Sequence, residues 1–179
     1  DERLKLSATG RVDKNQNFRA LVSPAVSSVY KATENQTFRL SFSSAIRNPT
    51  LADQYLNYNV GRAVLLGNLD GFDSLVTIDN IADYLGKPAN ERLSHDFGYF
   101  NVDAIRPEKV KTAEAGYRAT IGSRVFVDAN YYYSLYDDFI GYIIGAEIEE
   151  GTTAIDRLKS LQVYRVAANA TEQVTTQGF

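Results

Sequence analysis

Side chains alternate along this chain with a period of two over unusually long stretches, and that alternation limits the fold more than any other feature. From Leu4 to Val12, Leu4, Leu6, Ala8, Gly10 and Val12 share one face, while Lys5, Ser7, Thr9 and Arg11 take the other. After the polar turn formers Asp13–Asn17, residues Phe18, Ala20, Val22, Pro24, Val26 and Tyr30 alternate with Arg19, Ser23, Ser27 and Lys31. A second turn at Thr33–Gln36 leads to Phe38, Leu40, Phe42 and Ile46, alternating with Arg39, Ser41, Ser43 and Arg47. A period of two belongs to a strand whose two faces meet different surroundings. Pro24 cannot donate to a ladder and is expected to mark a bulge.

The pattern breaks over residues 48–107 and returns at Lys109. There, Val110, Thr112, Glu114, Gly116, Arg118 and Thr120 form one row, with Lys111, Ala113, Ala115, Tyr117, Ala119 and Ile121 opposite. After a turn at Gly122-Ser123-Arg124, Val125, Val127, Ala129, Tyr131, Tyr133 and Leu135 oppose Phe126, Asp128, Asn130, Tyr132, Ser134, Tyr136 and Asp138. Residues 145–161 are irregular, and Gln162–Ala167 and Val174–Phe179 read as further strands. A connection of roughly 60 residues far exceeds the usual handful, as functional loops do. Within it the spacing of Leu75, Ile78, Ala82 and Leu85 predicts a short helix over 74–85, stopped by Gly86 and Pro88 and packed on apolar loop residues such as Val64, Leu65 and Leu66.

Composition narrows what such a sheet can be. There are 179 residues, 44% hydrophobic and 23% charged, enough apolar material for a core. Nineteen basic against 22 acidic residues, a net charge of −3, gives no electrostatic case for nucleic acid. No cysteine is present, so disulfides, thiolate metal sites and cysteine nucleophiles are excluded, and the single histidine, His95, excludes any site needing two imidazoles. No apolar run reaches 18 residues, which rules out a transmembrane helix but not a membrane barrel, whose strands alternate. Methionine is missing even at position 1, so the sequence is expected to be a mature form or an internal piece. Twelve tyrosines and nine phenylalanines favour strands and water–apolar boundaries.

A soluble antiparallel sandwich also has one wet and one dry face. Three features favour a barrel instead. The strands run about 10 to 15 residues, near the length a tilted spanning strand needs rather than the usual 5 or 6. Tight turns and long loops fall at opposite strand ends. Aromatics bunch at strand ends, as in Tyr131-Tyr132-Tyr133, Tyr136, Phe139 and Tyr142, which suits an interfacial girdle.

Two ordered blocks carry a family resemblance. Ser23-Pro24-Ala25-Val26 to Tyr30-Lys31, then Asn35–Phe42, then Ala45-Ile46-Arg47-Asn48-Pro49-Thr50, resembles the late barrel of TonB-dependent outer-membrane receptors, where a strand ends in Arg, any residue, Pro. Arg106-Pro107-Glu108 followed by Glu114-Ala115-Gly116-Tyr117 resembles that family's "Lys/Arg-Pro-Glu … Glu-x-Gly-Tyr" strand. Val127–Tyr133 and Asp138-Phe139-Ile140 resemble the strand that follows, especially in Bacteroidota-like members. The resemblance implies an all-β, antiparallel transmembrane barrel segment over 1–179. It would supply about six or seven strands of a barrel of roughly 22, with 49–105 as a long extracellular loop insertion. No plug domain, energy-coupling box or closing strand is seen, so a piece of a larger receptor is expected. The implied partners are outer-membrane lipids, the rest of the barrel and plug, an inner-membrane energy-coupling protein and a surface lipoprotein; no cofactor or metal is implied.

For individual residues, Arg39, Ser41, Ser43, Arg47, Glu114, Arg118, Asp128, Asn130 and Ser134 are expected to face the lumen, mostly solvated or ion-paired. Leu40, Phe42, Ala115, Tyr117, Val127, Ala129, Tyr131 and Tyr133 are expected to face lipid. The motif residues Arg47, Pro49, Arg106, Pro107, Glu108, Glu114, Gly116 and Tyr117 read as structural, Pro107 restricting the backbone before its strand. Asn68–Asp73 has oxygen donors at alternating positions but lacks the later Glu of a calcium loop, so a turn is the simpler reading. His95-Asp96 lacks a placed nucleophile and reads as solvated loop, Asp96-Phe97-Gly98 matches a kinase tripeptide by chance, and Glu147, Glu149 and Glu150 read as a solvated acidic loop. No catalytic constellation emerges. The expected function is nutrient reception and import of an oligosaccharide, peptide or metal chelate; the rivals are a structural subunit of an envelope assembly with a lipoprotein or secretion partner, and a soluble binding module.

Overall fold

A computed structural model describes residues 3–122, 124–149 and 153–179; Ser123 of the expected turn and Glu150 of the expected acidic loop lie outside them. In chain order come β1 (Leu4–Asp13), β2 (Leu21–Thr33), β3 (Gln36–Arg47), α1 (Leu51–Tyr55), β4 (Asn57–Asn59), β5 (Val64–Leu66) and β6 (Phe72–Val76). Then follow α2 (Ile78–Gly86), α3 (Ala89–Arg92), β7 (Tyr99–Val102), β8 (Glu108–Ile121), β9 (Val125–Asp137), β10 (Ile140–Glu147), α4 (Ala154–Ser160), β11 (Gln162–Asn169) and β12 (Val174–Gly178). They form two compact units, Asp1–Asn48 with Pro107–Phe139 and Ala170–Phe179, and Pro49–Arg106 with Ile140–Asn169.

The first unit is an antiparallel sheet in the order β1-β2-β3-β8-β9-β12, the expected barrel-wall architecture. Its register joins the alternating rows across strands. Ser28, Leu40, Ala115 and Tyr131 lie side by side, as do Val26, Phe42, Ala113 and Tyr133. One step along, the opposite face carries Arg39, Gly116 and Asn130, then Thr37, Arg118 and Asp128. The turns at 34–35 and around Gly122 (φ +61°) close one end of the sheet, and the connections at 14–20, 48–106 and 138–173 leave from the other. The apolar face is uncovered: Leu6 is 71% and Leu40 60% exposed.

Pro24 marks no bulge. It pairs in regular register with Gly10, at a position where its nitrogen points away from β1 and the pairing of β2 with β3 has already ended at Ala25. The missing N–H therefore costs no ladder bond. The irregularity in β2 lies instead between Lys31 and Thr33, beside the tight turn.

The second unit is a sheet in the order β4-β5-β11-β10-β6-β7, parallel between β5 and β11 and antiparallel elsewhere. Residues 49–106 are thus joined to 140–169, and Gln162–Ala167 belongs to this sheet. Two apolar clusters hold it. One gathers Val76, Ile81, Tyr84, Phe97, Ala146 and Ile148; the other gathers Leu75, Val102, Val166 and Ala168. The expected helix over 74–85 is corrected by this packing. Ser74 and Leu75 belong to β6, and the helix starts after Thr77, whose hydroxyl accepts from Asn80 N–H at 3.3 Å. Its buried side is Ile81 and Tyr84 (6% and 0% exposed), whereas Ile78 and Leu85 stay about 40% exposed. Val64–Leu66 does not receive it; those residues are β5, paired with β4 and β11.

Asn68 ties this unit together from a fully buried position. Its side-chain amide donates to the Asp103 and Ala167 carbonyls, both at 2.8 Å, and its Oδ1 accepts from Gly71 N–H at 2.9 Å. Its own N–H reaches Asp53 O, and its carbonyl receives Ile105 N–H, both at 2.8 Å. Beside it, Gly67 passes so close to α1 that a Cβ would sit 2.4 Å from Tyr55 N, so only glycine fits.

Candidate functional site

The polar face of the first sheet concentrates the charged residues expected to face a lumen. Asp128 on β9 accepts from Arg39 Nη2 on β3 (2.7 Å) and from Arg118 Nη2 and Nε on β8 (2.6 and 3.0 Å). Arg39 can reach across β8 because the residue between them is Gly116. A Cβ there would lie 3.1 Å from Arg39 Nε and 3.0 Å from Asn130 Oδ1. The glycine of the Glu-x-Gly-Tyr motif therefore acts as a passage for a guanidinium. Ser41 Oγ donates to Glu114 Oε2 at 3.5 Å, and the Thr112 and Ser134 hydroxyls pair at 2.8 Å. Arg39, Ser41, Glu114, Gly116, Asp128 and Asn130 line a shallow hollow of about 520 Å³. Tyr117 projects to the other face, its ring 4.9 Å from Phe38.

The two proline motifs, whose Arg47 and Glu108 stand 61 positions apart, meet at the end of this sheet. Arg47 and Glu108 are the last residues paired between β3 and β8, and Arg47 Nη1 lies 3.4 Å from the Glu108 carboxylate, which is nearly buried. Pro49 and Pro107 follow and precede that pair, where the chain leaves and re-enters the sheet. Arg106 belongs to the second unit: its N–H and carbonyl bond the Asn169 side chain at 2.7 and 2.9 Å, and its guanidinium lies 3.5 Å from Asp103.

Other candidates are resolved by their surroundings. The Asn68 carboxamide is engaged by backbone groups through both its nitrogen and its oxygen, which fixes the turn at 68–71. His95 is not a freely solvated loop residue. Its Nε2–H donates to Asn80 Oδ1 at 2.7 Å, and its ring packs on Phe97 and Tyr84, with centroids 4.7 and 5.6 Å away. Glu147 ends β10 rather than lying in a loop and accepts from the Tyr164 hydroxyl at 2.9 Å. Burial first, then the Glu147 carboxylate, holds the Tyr164 phenol above its ordinary pKa. Glu149 N–H donates to Ser160 Oγ at 3.0 Å. Sequence reasoning missed Asn68 as a structural tie and the Arg39–Asp128 pair, whose members stand 89 positions apart and leave no local signal.

A two-faced sheet of long strands with ion-paired residues on one side and uncovered apolar rows on the other is the wall of an outer-membrane barrel. The chain belongs to the family described as "TonB dependent receptor-like, beta-barrel", whose sequence model matches residues 1–179. That family comprises outer-membrane receptors and transporters rather than a class of enzymes. Among solved structures the chain is similar to the siderophore receptor PirA from Acinetobacter baumannii, with a TM-score of 0.56 and 15% identity. The match covers 99% of this chain and 22% of that receptor, so the chain spans about a fifth of its length. No curated protein matches the chain.

Proposed function

We propose that this chain forms part of the wall of a receptor that binds a nutrient outside the cell and admits it to the periplasm. The nutrient is an oligosaccharide, a peptide or a metal chelate. An inner-membrane energy-coupling protein acting on a plug within the barrel would supply the work. The observation that carries the reading is the register itself. The apolar stretches of neighbouring strands fall side by side on one face, as Leu6, Leu40, Ala115 and Tyr131 do with Ser28 among them, while Arg39, Arg118 and Asp128 gather on the reverse. Charges buried against lipid cost a few kcal/mol each near the bilayer centre, so the polar row faces the lumen and the apolar row faces lipid. Residues 49–105 form an extracellular insertion that contributes to ligand recognition, since loops on a rigid scaffold set specificity. The Val127–Tyr133 run supports reading the protein as a Bacteroidota-like member of the family. Arg47, Pro107, Glu108, Glu114, Gly116 and Tyr117 serve the wall's construction, and Pro49 and Arg106 that of the second unit, rather than ligand contact.

Single cysteines at 40, 42, 115 and 131, and at 39, 114, 118 and 130, in the full-length receptor in cells test this. The first set should react with a lipid-soluble maleimide and the second with a water-soluble one. Equal reaction of both sets with the water-soluble reagent would refute the barrel-wall reading. Replacing residues 60–100 by a Gly/Ser linker should leave surface abundance intact and lower nutrient uptake; unchanged uptake would place recognition elsewhere.

A further inference from the structure

The outward row of β8 is unlike its neighbours. It reads Lys109, Lys111, Ala113, Ala115, Tyr117: two cations, then two of the smallest side chains, then a ring. On β3 the adjacent residues are Ile46, Ser44, Phe42, Leu40 and Phe38, and on β9 they are Asp137, Leu135, Tyr133, Tyr131 and Ala129. The alanines therefore floor a trench between Leu40 and Phe42 on one side and Tyr131 and Tyr133 on the other. Beyond the Leu40–Phe42 wall the same face carries Ser28, Ala8 and Leu6, and trench and wall together lie within a broad trough of about 720 Å³. Tyr117, against Phe38, stands at its far end.

The lysines sit at the head of this trench, on the apolar face. At the bilayer centre a lysine on that face would be strongly unfavourable, and near the interface it costs almost nothing. The pair therefore lies at the level of lipid headgroups, with stems free to extend along the surface. Lys111 is held by Asp137 at 3.0 Å, and Asp137 also accepts from Gln173 at 2.6 Å. Asp137 stands directly across from Lys109, whose ammonium forms no ion pair with it, so two ammonium groups share one carboxylate and one positive charge is left over. At about 3.3 Å per residue, Lys111 and Ala115 are roughly 13 Å apart along the strand. That is the offset between a phosphate and the upper half of an acyl chain.

We propose that this trench is a specific site for a phosphate-bearing membrane lipid. Its headgroup phosphate lies against Lys109 and Lys111, and one acyl chain lies over Ala113 and Ala115 between the aromatic walls. The site rests on the lipid-facing reading of this row and adds a preferred occupant to it. Selection comes from charge, because any acyl chain fits the trench but only an anionic headgroup meets the unmatched ammonium.

The experiment uses the full-length receptor in phosphatidylcholine nanodiscs, released into the gas phase after titration with phosphatidic acid or extra phosphatidylcholine of the same chains. The wild type should retain phosphatidic acid preferentially. Each of Lys109→Gln and Lys111→Gln should reduce that preference by roughly fivefold, the worth of one lysine near a charged membrane surface. Ala115→Leu, which fills the trench with a side chain still compatible with lipid, should lower retention of both lipids. Inorganic phosphate at millimolar concentration should displace neither, since it lacks the chain. Equal retention of the two lipids by the wild type, or a preference that survives the double lysine variant, would overturn the site. In the same nanodiscs a cysteine at 40 is labelled by lipid-soluble and water-soluble maleimides. Reaction with the lipid-soluble reagent but no headgroup preference sinks the lipid site alone, whereas reaction only with the water-soluble reagent sinks the lipid-facing reading as well.

Discussion

Asn68→Ala is the perturbation whose cost the structure specifies best. The side chain is fully buried and makes three hydrogen bonds, to Asp103 O, Ala167 O and Gly71 N. Truncation leaves two carbonyls and one N–H unpaired in the second unit. Each lost bond is worth about 1 kcal/mol, so the loss is about 3 kcal/mol. An opening equilibrium then moves by roughly two orders of magnitude. Hydrogen exchange on the full-length receptor in detergent reads this directly, because local opening sets amide protection. Protection in β5, β11 and around Ile105 should fall by about that factor, while amides shared by β3 and β8 keep theirs, since they belong to a separate hydrogen-bonded sheet. Asn68→Asp separates bonding from packing. It preserves shape but sets a carboxylate against two carbonyl oxygens, so it should be at least as damaging as alanine. A drop of less than threefold, an Asp variant close to wild type, or equal loss in β3 and β8 would refute the reasoning.

Gly67→Ala should also open the second unit, because its Cβ meets backbone of residues 54–56 within 2.7 Å and no side-chain rotation relieves it; Gly86→Ala, with open space around its Cβ, should be tolerated, and both can be read by limited proteolysis of the receptor. Arg39→Gln and Asp128→Asn should be non-additive in denaturant unfolding of the full-length protein, with a coupling that shrinks in high salt; strict additivity would deny the bridge across Gly116. The raised pKa of Tyr164 means that the fold favours the neutral phenol. This contribution is complete below the ordinary tyrosine range near pH 10 and is lost as pH rises through the folded value. Alkaline opening of β10 and β11 should therefore weaken in Tyr164→Phe and only partly in Glu147→Gln, because burial, the larger cause, remains. Identical alkaline profiles in all three proteins would contradict this.

The sequence by itself determined the long strands of the first sheet. Alternation is a property of each strand alone, so β1, β2, β3, β8 and β9 and the two faces of each could be read before any partner was known. The tight turns at 34–35 and Gly122 were legible for the same reason, since turn chemistry is local. Three helix starts were also written in the chain as Thr50-x-x-Asp53, Thr77-x-x-Asn80 and Thr153-x-x-Asp156, each threonine accepting from the backbone three residues on. Reading Thr77 that way would have excluded Ser74 and Leu75 from α2. Tertiary structure decided the rest. Strands of three to five residues such as β4, β5 and β6 carry too few positions to show a period and exist because a neighbour supplies their hydrogen bonds. Which side of α2 is buried depended on Val76, Phe97 and Ala146 arriving from elsewhere, so Ile81 and Tyr84 won over the equally regular Ile78 and Leu85. Register did the same for the polar site. Arg47 meets Glu108, and Arg39 crosses Gly116 to Asp128, only because β3 pairs with β8 and β8 with β9 at one particular offset, and a slip of one residue would have sent every one of those charges to the opposite face.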